Sequence, residues 1–289
     1  DRTMISTQFV VKRDEFLMDI KLNMPSYGAT VLFGPSGSGK TTFINVLSGI
    51  IKPTSGIIRF GEDTFFDSEN NINIPIEKRG IGYVFQDGRL FPHMSVEENL
   101  DFGNRRSAEN KSSKEEIIEL LGLEKLLKRK PSTLSGGERQ RTAIGRAILS
   151  CPRFLFMDEP LAALDFARKQ EILPYIATLK KNLKIPIFYV SHQMEEVVRL
   201  ADHLVLLENG KILDHGEIFD VINSPSLALL LGKDDKTSLI NCQVGKKQDN
   251  DGLSKLIFSG GYFLVNQSNL TPLDNVRIEL RAQDVAVAL

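Results

Sequence analysis

Hydrophobic and polar positions alternate with a two-residue period at both ends of the chain, and in much of the middle apolar positions recur with helical spacing instead. Over Ile5–Val11 and Phe16–Leu22 the alternation predicts an antiparallel pair of strands flanking the first core strand, Thr30–Phe33. Phe43–Leu47 then turns helical, and Gly49 and Pro53 end that helix. Gly56–Gly61 reads as a short strand closing in a turn. Residues 61–78, rich in Asn, Asp and Glu, read as a solvated hairpin or loop, and Ile81–Phe85 as a buried strand ending at Gln86. From Asp87 to Ser150 the pattern is helical. Ser95 with Glu98 and Ser113 with Glu116 have capping-box spacing, the second opening an amphipathic helix through Leu121, and a third helix is expected from Gly136 to Leu149.

Arg153–Glu159 is an apolar strand ending in two carboxylates. Helix 167–183, strand 187–191, helix 193–201 and strand 203–208 continue an alternation that implies a mostly parallel sheet covered by helices. Asn209-Gly210 is a hairpin signal joining 203–208 to 211–215, and Glu217–Ile222 closes the unit as a short helix. Residues 232–236 read as a linker. Beyond them, short alternating runs at Leu239–Val244, Lys255–Phe258, Tyr262–Val265, Val276–Leu280 and Val285–Leu289 predict a small β-domain. The expected division is an α/β domain over 1–231, with a helical subdomain at about 88–149 inserted in it, and a partial β-domain over 238–289. Met4 is the expected natural start, and more chain is expected after Leu289.

Composition narrows the partners. Lys+Arg 36 against Asp+Glu 37 leaves a net charge of -1, so no global field recommends nucleic acid or an anionic membrane. No apolar run approaches the ~20 residues of a membrane span, and no signal peptide opens the chain; membrane association is expected to go through a partner. Cys151 and Cys242 lack ligand-like spacing and read as packing residues in a reducing cytosol.

Candidate chemistry centres on Gly34-Pro35-Ser36-Gly37-Ser38-Gly39-Lys40-Thr41-Thr42, a Walker A pattern set between strand and helix. Its glycines let backbone N–H groups turn around an anion at the positive end of the following helix. Lys40 would reach the β- and γ-phosphates of ATP, and the Thr41 hydroxyl would ligate Mg²⁺. Asp158, ending a buried strand, can hold the same ion, and Glu159 can polarise an attacking water as general base. Gln86 can reach the metal or the water, and His192 the γ-phosphate; all four strand ends fall at one edge of the sheet, where ligands of parallel α/β folds gather. Phe9 or Phe16 could stack on adenine. Ser135-Gly136-Gly137 at a helix start is a second anion-binding nest, which makes sense if it closes over nucleotide held by another copy.

Together Gly34–Thr42, Gln86, Leu134–Gln140, Phe154–Pro160, Ala162-Ala163-Leu164-Asp165 and His192 resemble the motif set of an ABC transporter ATPase, over roughly residues 1–230. The resemblance implies a P-loop ABC ATPase domain: a RecA-like core, an antiparallel β-subdomain and an inserted helical subdomain. It implies a head-to-tail homodimer in which Ser135 and Gly137 contact the γ-phosphate across the interface and Asp165 links the two sites. Glu77–His93, Asp165-x-x-Arg168-Lys169, Leu173-Pro174-Tyr175, Ile185–His192 and Leu207–Gly210 further resemble the ATPase subunit of molybdate importers. That implies a peripheral subunit on the cytoplasmic face of the inner (plasma) membrane. There it would drive molybdate or tungstate import through two permease subunits docked near Gln86–Met94, fed by a periplasmic or extracellular substrate-binding protein. The C-terminal β-region resembles the start of that family's oxyanion-binding regulatory domain. The competing expectations are an importer of sulfate, ferric iron or sugar, and a soluble ABC ATPase of DNA repair or translation.

Overall fold

The computed structural model describes residues 4–13, 15–104, 114–162, 164–182, 185–231, 237–245, 253–266 and 270–281. Among these the chain forms two compact units, 1–218 and 219–289. The linker expected at 232–236, the Ser113 cap and the run Val285–Leu289 lie outside the described residues.

The first unit is built on a six-stranded sheet. In chain order its strands are β3 (Ala29–Phe33), β7 (Ile81–Val84), β8 (Phe154–Asp158), β9 (Ile187–Ser191), β10 (His203–Glu208) and β11 (Lys211–Glu217). They stand in the spatial order β11-β10-β3-β9-β8-β7. All pairs are parallel except the β10–β11 hairpin. Every residue of β3, β8 and β9 is buried, the mark of strands covered on both faces. Burying one such side chain as completely as Phe156 contributes about 1.5–3 kcal/mol. The hairpin turn at Asn209-Gly210 takes the positive φ that its sequence predicts, 48° and 73°.

The strands expected to flank β3 belong instead to a second sheet. β1 (Met4–Arg13) pairs antiparallel with β2 (Phe16–Pro25), and with β4 (Ser55–Phe60), β5 (Asp63–Asp67) and β6 (Ile72–Asn73) they make a five-stranded sheet, β2-β1-β4-β5-β6. The reason is the alternation itself: a half-buried strand suits a sheet with one wet face, and β3 is buried on both. The stretch 61–78, expected as solvated loop, in part completes this sheet, with Phe65, Phe66 and Asp67 buried. Its polar residues serve a turn: the Asp67 carboxylate accepts hydrogen bonds from the Glu69 and Asn70 N–H groups.

Helix α1 (Lys40–Ser48) puts Phe43, Ile44, Val46 and Leu47 into one core shared by both sheets. Phe9 is 1% exposed in that core, 5.9 Å from the Phe43 ring, so it is a packing residue and not a surface on which adenine could stack. Between β7 and β8 run α2 (Val96–Asn104), α3 (Lys114–Leu120) and α4 (Gly136–Leu149), with α2 and α3 packed on α4. The Ser95–Glu98 capping box is present in both directions. After β8 come α5 (Phe166–Asn182), β9 and α6 (Met194–Leu200).

The second unit holds the end of α7 (Ile218–Ile222), α8 (Pro225–Leu231) and a four-stranded antiparallel sheet. Its strands are β12 (Thr237–Val244), β13 (Ser254–Phe258), β14 (Gly261–Val265) and β15 (Asn275–Arg281), in the order β14-β13-β12-β15. Cys242, Val244 and Leu256 are its buried centre.

Candidate active site

The loop after β3 is shaped by two glycines. A side chain at Gly34 would put its Cβ 2.0 Å from the Leu207 carbonyl oxygen, and Gly39 sits at φ 104°, a conformation that L side chains rarely adopt. Gly39 caps the N-terminus of α1 without a side-chain hydrogen bond, which leaves that end of the helix to a ligand. Phe16, Ser36, Gly37, Gly39, Lys40, Thr41, Thr42 and Glu159 line one cavity of about 280 Å³.

Lys40, only 4% exposed, lies over the loop and donates to the Gly34 and Pro35 carbonyls at 2.8 and 2.9 Å. Its Nζ is 3.7 Å from Glu159 Oε1. Burial lowers the Lys40 pKa, against the opposing pull of Glu159 and Asp158. The Thr41 hydroxyl donates to Asp158 Oδ1 at 2.9 Å, so the two groups expected to share a metal already touch. Burial raises the Asp158 pKa; the Thr41 hydrogen bond works against it, and the Glu159 charge adds to it. Glu159 adopts φ 43°, outside the strand conformation, which turns its side chain away from the line of β8. The Glu159 N–H donates to the Val190 carbonyl at 3.2 Å. His192, just past β9 and expected to reach a γ-phosphate, holds Nδ1 3.2 Å from Glu159 Oε2, so its near partner here is that carboxylate.

The other expected residues do not line this cavity. Gln86 is exposed beyond the end of β7 and is not among the cavity-lining residues. Neither are Ser135, Gly136, Gly137 or Asp165. Ser135 caps α4 through a complete capping box with Glu138: its Oγ accepts the Glu138 N–H at 3.2 Å, and its N–H donates to Glu138 Oε2 at 2.7 Å. The expected nest is thus partly satisfied from within the chain. Asp165, exposed, caps α5 by accepting the Arg168 N–H at 3.0 Å and sits 3.3 Å from the Arg168 guanidinium. Phe91, expected near a docking site, is half-buried against Phe102 with Arg146 over its ring.

Two residues at the site were not anticipated. The Tyr83 hydroxyl on β7 donates to Asn45 Oδ1 of α1 at 2.8 Å and lies 3.4 Å from Asp158 Oδ2, a second acceptor to which the same proton can turn. A hydroxyl in an otherwise apolar core strand needs a buried partner, and that was the available signal. Nothing local in the sequence marks Asn45.

The ABC transporter family profile matches residues 17–162, from β2 through the carboxylate pair. The chain belongs to the ABC transporter ATPase family. As a member of it the chain binds nucleotide and is an ATPase. Among its relatives, the molybdenum import ATP-binding protein ModC of Paramagnetospirillum magneticum is 46% identical over 280 residues, which is 96% of this chain and 77% of that protein. The protein of the same name from Vibrio vulnificus is 43% identical over 94% of this chain and 74% of its own length. A nucleotide-free ATP-binding cassette from an ABC transporter superposes with a TM-score of 0.66 at 26% identity, covering 80% of this chain and 98% of that one. No helix among the described residues is long and apolar enough to cross a membrane.

Proposed function

We propose that this chain is the ATP-hydrolysing subunit of a molybdate importer, working on the cytoplasmic face of the plasma membrane beneath two permease subunits that receive the oxyanion from a substrate-binding protein. The observation that carries the reading is the 46% identity to a molybdenum import ATP-binding protein over 96% of the chain. In this reading residues 1–231 are the ATPase domain and 238–289 belong to an oxyanion-binding regulatory domain.

In the proposed site Gly34–Thr42 wrap the phosphates with their N–H groups and Phe16 stacks on adenine. Lys40 exchanges the Gly34 and Pro35 carbonyls for phosphate oxygens. The residues present suit Mg²⁺: the Thr41 hydroxyl and Asp158 carboxylate are hard oxygen donors 2.9 Å apart, and Gln86 can extend the set. When bound, the ion supplies charge neutralisation at the β- and γ-phosphates. The buried Ser38 hydroxyl has no hydrogen-bond partner among the described residues, as suits a donor kept for a phosphate oxygen. Glu159 takes the proton of the attacking water, and His192 holds Glu159 in place from the far side. Ser135, Gly136 and Gly137 serve the nucleotide of a second copy in a head-to-tail homodimer, and Asp165 carries the contact between the two sites.

The test is ATP hydrolysis by the complex reconstituted with its permease and binding protein. Molybdate should stimulate it where sulfate and maltose do not; stimulation by either of those instead refutes the substrate. Glu159→Gln should keep ATP binding and lower kcat by about 10²–10⁴-fold, and an unaltered kcat removes Glu159 from the general-base role.

A further inference from the structure

His192 is an exposed side chain set between two anchored neighbours. On one side, Ser191 Oγ donates to Glu196 Oε2 at 2.7 Å and accepts the Gln193 N–H at 3.0 Å. On the other, Gln193 Oε1 accepts a hydrogen bond from Lys169 Nζ at 2.7 Å. The Tyr189 hydroxyl donates to the same Glu196 oxygen at 2.9 Å, and Lys169 Nζ lies 3.8 Å from Glu196 Oε1. Lys169 and Glu196 are 7% and 4% exposed and Tyr189 is fully buried. Burial raises the Glu196 pKa, opposed by the hydrogen bonds from Ser191 and Tyr189 and by the Lys169 charge.

A buried ion pair of this kind is poor value as a source of stability, because the desolvation of two charges offsets most of their attraction. What it does well is fix geometry, since each partner is satisfied in one arrangement only. Here that arrangement spans three elements. Glu196 stands on α6 and Tyr189 and Ser191 on β9. Lys169 stands on the first turn of α5, where its N–H donates to the Asp165 carbonyl at 3.0 Å. On the exposed side the same two helices are joined by Gln170, which bonds Glu195 and accepts from Arg199.

We propose that Lys169 and Glu196 are positioning residues for ATP hydrolysis: the buried pair holds the backbone on both sides of His192 and ties it to the start of α5 at Asp165. A displacement of Asp165 is thereby transmitted to the His192–Glu159 contact through Lys169 and Gln193. The inference rests on the reading of Glu159 and His192 as hydrolytic machinery and adds to it the means by which His192 is aimed.

The experiment is a set of double-mutant cycles on steady-state hydrolysis by the full chain in its complex. The variants are Glu196→Gln, Lys169→Met, Lys169→Arg and His192→Ala, with ¹⁵N-histidine spectra of each. Glu196→Gln keeps an acceptor for Ser191 and Tyr189, so it folds if any variant does. Expected are a fall in kcat of roughly 10- to 100-fold in Glu196→Gln and Lys169→Met, with KM for ATP changed by less than about 3-fold, and partial rescue by Lys169→Arg. Neither change should add further loss on the His192→Ala background, and the His192 ring resonances should move in both. Losses that add fully to His192→Ala, or unmoved His192 resonances, assign the pair a merely structural role and overturn the inference. Unaltered hydrolysis in His192→Ala alone would instead overturn the underlying reading of the site, which separates the two failures.

Discussion

Arg79 offers the sharpest quantitative test of how the phosphate loop is held, because a buried cation here has carbonyls for partners. It is 1% exposed, beyond the C-terminus of α1. Nη1 donates to the Leu47 carbonyl at 2.8 Å and to that of Val46 at 3.3 Å, Nε to the Ile74 carbonyl at 2.8 Å, and Nη2 to Asn73 Oδ1 at 3.2 Å. Val46 and Leu47 belong to the last turn of α1, whose carbonyls have no partner within the helix, and a positive charge there also opposes the negative end of the dipole. The two shortest bonds, each from a charged donor, contribute about 1.5–3 kcal/mol apiece. The two longer ones and the contact with the Phe65 ring, 5.4 Å away, add about 1–2 kcal/mol. Against this stands desolvation, which pushes the guanidinium down to about 10 from its ordinary 12.5 and costs about 3 kcal/mol. The net is about 3 kcal/mol in favour of Arg79. Arg79→Met, which fills much of the volume and supplies no donor, should lower the melting transition of the first unit by roughly 6–12 °C at about 2–4 °C per kcal/mol. Scanning calorimetry of the full chain, resolved into the transitions of its two units, is the assay. A variant that melts at or above the parent would show that desolvation outweighs the hydrogen bonds, as it does in many buried ion pairs, and would refute the reasoning.

Two further predictions follow from single atoms. Gly34→Ala would place a methyl 2.0 Å from the Leu207 carbonyl oxygen, a backbone atom of β10 that cannot swing aside; it should destabilise the first unit by about 3 kcal/mol or more and abolish binding of a fluorescent ATP analogue, and wild-type affinity in that variant would contradict the close approach. His203, whose Nε2 is buried without a hydrogen-bond partner among the described residues, is pushed down to about 4 by burial and by nearby His215. The fold therefore favours the neutral ring: its contribution is fully present above the unfolded pKa of 6.5 and is lost as pH falls toward 4, up to about 3 kcal/mol. In urea melts between pH 7 and pH 4.5, His203→Leu should flatten the stability profile, and an unchanged slope would mean that His203 is not the group being protonated.

How much of this was legible in the sequence depends on how local the deciding force is. Four of the five residues in each of β3, β8 and β9 are apolar, the exceptions being Thr30, Asp158 and Ser191, and burial on both faces follows from such near-continuous runs. The loop Gly34–Thr42 is a local conformation set by its own glycines, and it folds as read. Partnership between sheets is another matter. The alternation of Ile5–Leu22 suits a sheet with one wet face, but nothing within it says that its apolar face will pack on α1, because that is decided by the side chains of Phe43, Val46 and Leu47 arriving from the other side. Phe65 and Phe66 were hidden for the converse reason, two core aromatics embedded in a polar composition that belongs to the Asp67 turn. At the site, the carboxylate pair and His192 were legible as strand ends. Tyr83 with Asn45, and Lys169 with Glu196, were not, since each is a pair of ordinary residues made significant by a contact between elements distant in the chain.

The same distinction bears on the signature at Ser135. Read alone, Ser-Gly-Gly at a helix start offers a hydroxyl and free N–H groups to an anion. In the fold, Glu138 takes the Ser135 N–H and supplies its own to Ser135 Oγ, so what remains for a ligand is the hydroxyl proton and the N–H groups of the first turn. A capped serine is a fixed serine: the box sets the direction of Oγ before any nucleotide arrives, and a donor already fixed costs less ordering on binding. The proposed second copy would therefore meet a rigid contact on this side and a loop held by Lys40 on the other. In that arrangement the phosphate draws the Lys40 ammonium from the carbonyls of Gly34 and Pro35, and Glu159, 3.7 Å from that ammonium, keeps His192 as its remaining partner. In the proposed head-to-tail dimer the phosphate that would bridge the two copies would also be the group that frees Glu159 from Lys40 and leaves it to the attacking water.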